Sequence, residues 1–133
     1  MKYLALLFLL TACFNQPKRD CKHVKSGHFA FTFEIDKKTE TSTFKRSDSL
    51  QIETFRNKTD TSKVRWINDC EFILEKTNPK SIKDRLKIHI KILETTDKGY
   101  HFAYGYVGET LINKGFAKQN LIHTNLKEAN NLK

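Results

Sequence analysis

HFAFTFEI, residues 28–35, decides the fold. Phe29, Phe31, Phe33 and Ile35 fall on one parity and Ala30, Thr32 and Glu34 on the other, the period-2 alternation of a half-buried strand. A helix would scatter those four apolar residues around its circumference. YHFAYGYV at 100–107 repeats the pattern, with Tyr100, Phe102, Tyr104 and Tyr106 as one aromatic face. KIHIKILET at 87–95 sets Ile88, Ile90 and Ile92 opposite Lys87, His89, Lys91 and Leu93.

Outward from these, the polar stretch DKKTE (36–40) turns the chain and TSTFKR (41–46) returns it. SLQIETF (49–55) places Leu50 and Ile52 on one side and Gln51, Glu53 and Phe55 on the other, and RNKTDTS (56–62) makes the next break. KVRWIN (63–68) and CEFILEK (70–76) are short runs rich in β-branched and aromatic residues, separated by Asn68-Asp69. NPKSIKDRL (78–86) is the candidate for a short helix, with Asn78 as cap and Pro79 in its first position. After TTDKG (95–99) and Gly108, a weaker hairpin through Asn113-Lys114-Gly115 leads to FAKQ (116–119). Short strands with turns between them and scarcely any helix give a mainly β fold. We expect a curved antiparallel meander or a lipocalin-like small barrel of seven or eight strands, with a sandwich as the alternative.

The N-terminus carries a different signal. Lys2 precedes an uncharged run from Tyr3 to Leu10, far shorter than the ~20 residues that cross a bilayer, and this reads as a secretory signal. Leu10-Thr11-Ala12-Cys13 resembles the bacterial lipobox, a long apolar residue and two small ones before a cysteine. The resemblance implies removal of residues 1–12, a diacylglycerol on the Cys13 thiol and an acylated amino group, with the palmitate-type chains forming a durable membrane anchor. An aspartate after the lipidated cysteine often retains such proteins at the inner membrane of diderm bacteria. Phe14 stands there instead, which favours the outer membrane. The resulting division is a signal peptide over 1–12, a lipidated tether over 13–20, an antiparallel β domain over 21–122 and a polar tail over 123–133.

With Cys13 assigned to lipid, Cys21 and Cys70 remain, in a compartment that permits disulfides. An internal bridge is the leading expectation. Two buried thiols, or a bridge to another chain, are the alternatives.

The order of segments, above all FKRSDSLQIETF (44–55) followed by KVRWINDCEF (63–72), resembles small secreted lipoproteins of the Bacteroidetes and their marine relatives. The resemblance spans nearly the whole chain, including Cys21, Gly27, Arg46, Gln51, Glu53, Trp66, Asn68, Asp69 and Cys70. It implies a lipocalin-like β domain in the cell envelope and supplies no activity. Some relatives carry a DNA topoisomerase label, but this chain has no room for an ATP-binding fold, and an exported lipoprotein would not meet the chromosome.

The formal charge of +9 falls by one when Lys2 leaves with the signal. Its lysines are spread over turns and strand faces, without a nucleic-acid-binding arm. Solubility accounts for that spread; the nearest polyanions outside the cytoplasm are phospholipid headgroups, lipopolysaccharide and capsule. No cofactor motif, G-x-S-x-G elbow, phosphate loop, H-E-x-x-H or paired Cys-x-x-Cys occurs. If strands 87–95 and 99–107 pair about a turn near Asp97, His89 faces Gly105 and His101 faces Leu93, too far apart to share a metal.

The expectation is therefore a non-catalytic binding or envelope-associated lipoprotein, with the membrane as its partner through the lipid and with either a small apolar ligand or an envelope protein as a second. An extracytoplasmic inhibitor or immunity-type protein is the alternative, and a small hydrolase using Glu53 or Asp69 the least favoured. Candidate pocket residues are Arg46, Glu53, Trp66, Tyr100, Phe102, Tyr104 and Tyr106. Arg46 shares the parity of Phe44. A bulge before Leu50 would return it to water, which is the leading expectation; turned inward, it needs a carboxylate such as Glu53 or an anionic ligand. For the aromatic row, core packing is favoured over lining a cavity.

Overall fold

The computed structural model describes residues 15–120. Residues 1–14, with the expected signal peptide and Cys13, and residues 121–133, with the end of the expected β domain, the polar tail and His123, lie outside the described residues.

Eight strands form a closed antiparallel barrel in which each pairs with the next and the eighth returns to the first. They are β1 (Gly27–Ile35), β2 (Lys38–Arg46), β3 (Leu50–Phe55), β4 (Lys58–Asn68), β5 (Glu71–Lys76), β6 (Ile88–Thr96), β7 (Gly99–Tyr106) and β8 (Asn113–Gln119). Phe29, Phe31 and Phe33 point inward from β1, opposite Phe44, Ser42 and Glu40 of β2. Inward positions of β7 meet small residues of β8, Tyr100 facing Ala117 and Phe102 facing Gly115. A Cβ on Gly115 would stand 2.4 Å from the Phe31 ring. Both Phe31 and Phe102 crowd this glycine, which is why a small residue is placed there.

Two hairpins are tighter than the polar stretches around them suggest. The β1–β2 turn is Asp36-Lys37 and the β3–β4 turn is Arg56-Asn57, each with positive φ at both central residues (50°, 62°, 48° and 59°), as a type I′ turn requires. The break expected over RNKTDTS is present but only two residues long: strand β4 already begins at Lys58. Asn113-Lys114-Gly115 is not a hairpin but the start of β8, and the connection from β7 is 107–112. The short helix at Asn78-Pro79 is absent. The 77–87 connection contains only a 3-10 turn, Lys83–Arg85, whose Asp84 N–H is held by the Ser81 hydroxyl at 3.1 Å. With Ile82 and Leu86 left largely in water, too little is buried to propagate a helix.

One end of the barrel is plugged and the other is open. At the plugged end a 3-10 turn, Cys21–Val24, lies across the opening; sequence periodicity gave no sign of it. Cys21 bonds to Cys70 in the β4–β5 turn with Cα atoms 5.3 Å apart, so the internal disulfide is present. Ahead of the plug, the Thr95 N–H donates to the Lys18 carbonyl and the Asp20 N–H to the Thr95 hydroxyl, both at 2.8 Å, clipping the entering chain to β6. Val24, Phe29, Phe72, Ile92, Tyr100 and Ala117 fill the interior here. At the open end, β5 and β6 part after the pair Leu74↔Ile88, and β1 pairs with β8 only over Phe29–Phe31.

Outward strand positions such as Thr32, Thr41, Thr43, Lys45, Thr54, Lys63 and Arg65 are exposed. A bilayer-spanning barrel carries an apolar outer band; this wall is one that water wets.

Candidate functional site

The interior divides into a buried arginine cluster at the plugged end and a cavity at the open end. Arg46 points inward and is 2 % exposed. The ladder with β1 runs without a break to Gly27↔Arg46 and that with β3 to Arg46↔Gln51. There is thus no bulge, and parity with Phe44 carries the side chain into the core, against the leading expectation.

Nor is Glu53 its partner. The guanidinium donates to the Val24 carbonyl (2.6 Å), the Lys25 carbonyl (3.0 Å), the Tyr100 hydroxyl (2.9 Å) and the Gln51 side-chain carbonyl (3.3 Å). The two backbone carbonyls close the 3-10 turn, so Arg46 caps it as a C-terminal cation does a helix. Rings of Phe29, Phe44, Phe72, Tyr100 and Trp66 stand 4.6 to 5.8 Å from the guanidinium carbon, an aromatic cage for a charge with no acid beside it. Burial pushes the Tyr100 hydroxyl's pKa up, and the neighbouring cation only partly offsets this. Trp66 packs on Phe72 with centroids 4.6 Å apart and lies under the Lys25 ammonium at 4.8 Å; its buried Nε1 has no hydrogen-bond acceptor among the described residues.

The cavity at the other end has a volume of about 460 Å³. Phe55, Leu74, Leu86, Ile88 and Tyr106 supply apolar wall, and Glu53, Asp60, Ser62 and Lys76 supply polar groups from the inward faces of β3, β4 and β5. On β3 the polar set faces in while Leu50 and Ile52, 42 % and 43 % exposed, face out. Lys76 bridges Asp84 at 2.9 Å and Asp60 at 3.3 Å. The hydrogen bond to Asp84 holds the Lys76 pKa up despite burial, and the same bond, with one from the Lys80 N–H, holds Asp84 down. The 77–87 connection is thereby strapped to the cavity wall. Glu53 accepts from the Ser42 hydroxyl and Arg56 donates to Glu40, which leaves Lys58 and Lys83 as cavity cations with no ion pair among the described residues.

Of the seven candidate pocket residues, the structure places Glu53 and Tyr106 on this cavity. Arg46, Trp66, Tyr100 and Phe102 belong to the plugged half, and Tyr104 packs between Phe31 and Phe102. The aromatic row therefore runs from core to cavity along one strand. Glu53 and Asp69 are not brought together: Asp69 sits at the plugged end, where the Lys25 ammonium at 3.0 Å lowers its pKa. His89 faces Gly105 as expected, but a bulge between Ile92 and Glu94 moves His101 opposite Glu94. Outside the barrel His89 meets Glu71 at 3.0 Å. There burial raises the Glu71 pKa, while bonds from His89 and Asn68 and the charge of Lys91 outweigh it and leave it lowered. Among the described residues no group of three or more His, Cys, Asp and Glu is arranged to hold a metal.

Periodicity missed Phe55, Leu74, Lys76 and Ile88 as cavity residues because three of the four are ordinary core types; only the polar inward parity of β3 carried a signal. Comparison with known proteins finds no family model, no curated protein and no solved structure that matches the chain.

Proposed function

We propose that this is an exported, lipid-anchored binding protein of the cell envelope that holds a small amphipathic molecule in the open end of its barrel. The observation that carries the reading is the cavity itself: about 460 Å³ in size, within the ordinary range of ligand sites, walled by Phe55, Leu74, Ile88 and Tyr106 and edged by Lys58 and Lys83. An acyl or other apolar portion fits the wall, and an anionic head fits the two ammonium groups. No step of chemistry is needed, and the role is non-catalytic.

Export and anchoring rest on Leu10-Thr11-Ala12-Cys13 and on the resemblance to small envelope lipoproteins, with the outer membrane favoured by Phe14. A Cys21–Cys70 disulfide supports an oxidising compartment. Intact-mass analysis of membrane-extracted protein should show loss of residues 1–12 and addition of diacylglycerol with a further acyl chain; an unprocessed cytoplasmic chain refutes the anchor.

The ligand test is native mass spectrometry of protein purified from its own host, with lipid extraction, alongside titration with a fluorescent fatty acid. Retention of one amphipathic species and saturable probe binding are expected, both lost in Ser62→Phe, which sends a ring into the cavity. Protein that is empty and does not bind the probe overturns the reading.

A further inference from the structure

We propose that the open end of the barrel is a docking surface for an anionic phospholipid bilayer, apposed to whatever surface holds the N-terminus. The chain enters at the plugged end, where Lys18 and Asp20 are clipped to Thr95. Five residue steps lead from Cys13 to Lys18, about 17 Å at full extension, whereas a nine-residue strand such as β1 runs about 30 Å. An anchor near Cys13 therefore holds the plugged end and leaves the mouth facing away.

The mouth gathers four of the seven large apolar side chains that the described residues leave exposed, the two most exposed among them. The 77–87 and 107–112 connections lie side by side there, joined by the Val107 N–H to the Lys87 carbonyl at 3.0 Å. They expose four branched aliphatic side chains: Ile82 at 86 %, Ile112 at 77 %, and Leu86 and Val107 at about half. A single exposed aliphatic needs no explanation, but four on adjoining loops of one barrel end do.

Around them stand Lys80, Lys83, Arg85 and Lys87, four cations against two acids on the two connections, Glu109 and an Asp84 already bonded to Lys76; the neighbouring hairpin turns add Asp36 and Lys37, which cancel, and Arg56. At the plugged end, by contrast, basic residues alternate with Asp20, Asp48, Asp69 and Asp97. Aliphatic side chains that enter the headgroup layer within a ring of cations that meets the phosphates make an interfacial membrane contact. An acidic protein would satisfy the cations but gives no reason for four aliphatic side chains exposed on the adjoining loops. Resting on the proposed ligand reading, the consequence is direct: the cavity opens in the docking face, so an amphiphile moves between bilayer and barrel without crossing water.

The test uses the full chain, reconstituted through its own N-terminus into neutral donor vesicles, and measures docking to acceptor vesicles of phosphatidylcholine with or without phosphatidylglycerol. Docking should require the anionic lipid and weaken as salt rises. Ile82→Ser with Ile112→Ser, and separately Lys80→Glu with Arg85→Glu, should each reduce it by about tenfold or more. None of these four residues lines the cavity, so probe binding should be unchanged. Equal docking to neutral acceptors, or indifference to both pairs of substitutions, overturns the proposal. Docking only to acceptors that also carry the chain identifies a second copy as the occupant and overturns it too. Docking that persists while wild-type protein fails to bind the probe leaves the surface standing and removes the amphiphile.

Discussion

Replacing Arg46 with methionine tests how the barrel is closed. The side chain is buried, and its four acceptors, the Val24 and Lys25 carbonyls, the Tyr100 hydroxyl and Gln51, come from three separate segments of chain. Methionine keeps most of the stem's volume and places sulfur among the aromatic rings, so little packing is lost. Removing the guanidinium also removes the desolvation penalty of a buried charge, which is several kcal/mol, together with the four charge-assisted hydrogen bonds and the ring contacts that offset it in the folded protein. Against that stand the acceptors left behind. Tyr100 can turn its hydroxyl hydrogen toward Gln51, which satisfies one of that pair, but the two backbone carbonyls have no other donor within the plug. At about 1.5 kcal/mol for each buried unsatisfied carbonyl, the expected loss is ~3 kcal/mol. Urea unfolding with the disulfide intact measures it, with Trp66 as reporter: it is the one tryptophan of the chain and stands 5.8 Å from the guanidinium carbon. Amide exchange over Cys21–Val24 should accelerate in parallel. A loss below about 1 kcal/mol, or a gain, would mean that desolvation outweighs the hydrogen bonds and that the turn is held by the disulfide and apolar contacts alone.

Cys70→Ala should cost about 4 kcal/mol, the loop-entropy value for the 49-residue separation from Cys21, read from the same unfolding curves. Its combination with Arg46→Met should be non-additive, because both substitutions release the same turn. Lys37→Gly should stabilise by about 0.5 to 1 kcal/mol, since Lys37 holds a φ of 62° in the second position of a type I′ turn; a loss in thermal melts would count against that turn assignment. Asp84 has a folded pKa below its ordinary 3.8, so its contribution to the strap is fully present above that value and lost as pH falls through the lowered one. Amide exchange across 77–87 should therefore speed up in acid at matched intrinsic rates, and Asp84→Asn should make it fast already at neutral pH.

The strands were legible because alternation survives wherever one face is packed. Phe29, Phe31 and Phe33, the aromatic row of β7 and the isoleucines of β6 all point where their parity puts them. Single-residue events were not. The bulge after Ile92 moves His101 from Leu93 to Glu94, and nothing in KIHIKILET announces which residue is extra. The plug was hidden for another reason: a four-residue 3-10 turn has no period, and what fixes it is a disulfide 49 residues away and an arginine on another strand. Parity alone placed Arg46 correctly. The objection to it, that a buried guanidinium needs a carboxylate, failed because two peptide carbonyls at the end of the turn, a hydroxyl and an amide oxygen supply the acceptors, and none of these can be recognised from spacing.

The same asymmetry bears on function. In the plugged half Phe29, Phe72, Ile92 and Tyr100 lie inside and threonines and lysines outside, the buried Arg46 having its hydrogen bonds met there and Ile67 being half exposed. Toward the mouth this arrangement is broken: Glu53, Asp60 and Lys76 turn inward while Ile82 and Ile112 face water. Burying those charges in a packed core would cost far more than their mutual bonds return, so this half can fold only with solvent, or a ligand, among them. Apolar loops above a hydrated, cation-edged cavity are likewise unfavourable in isolation and favourable against a headgroup layer. Both departures sit at one end, the end away from the chain's entry. Stability is concentrated where the disulfide, the arginine cage and the N-terminal clip meet, and the half left without such a core is the one on which the proposed ligand binding rests.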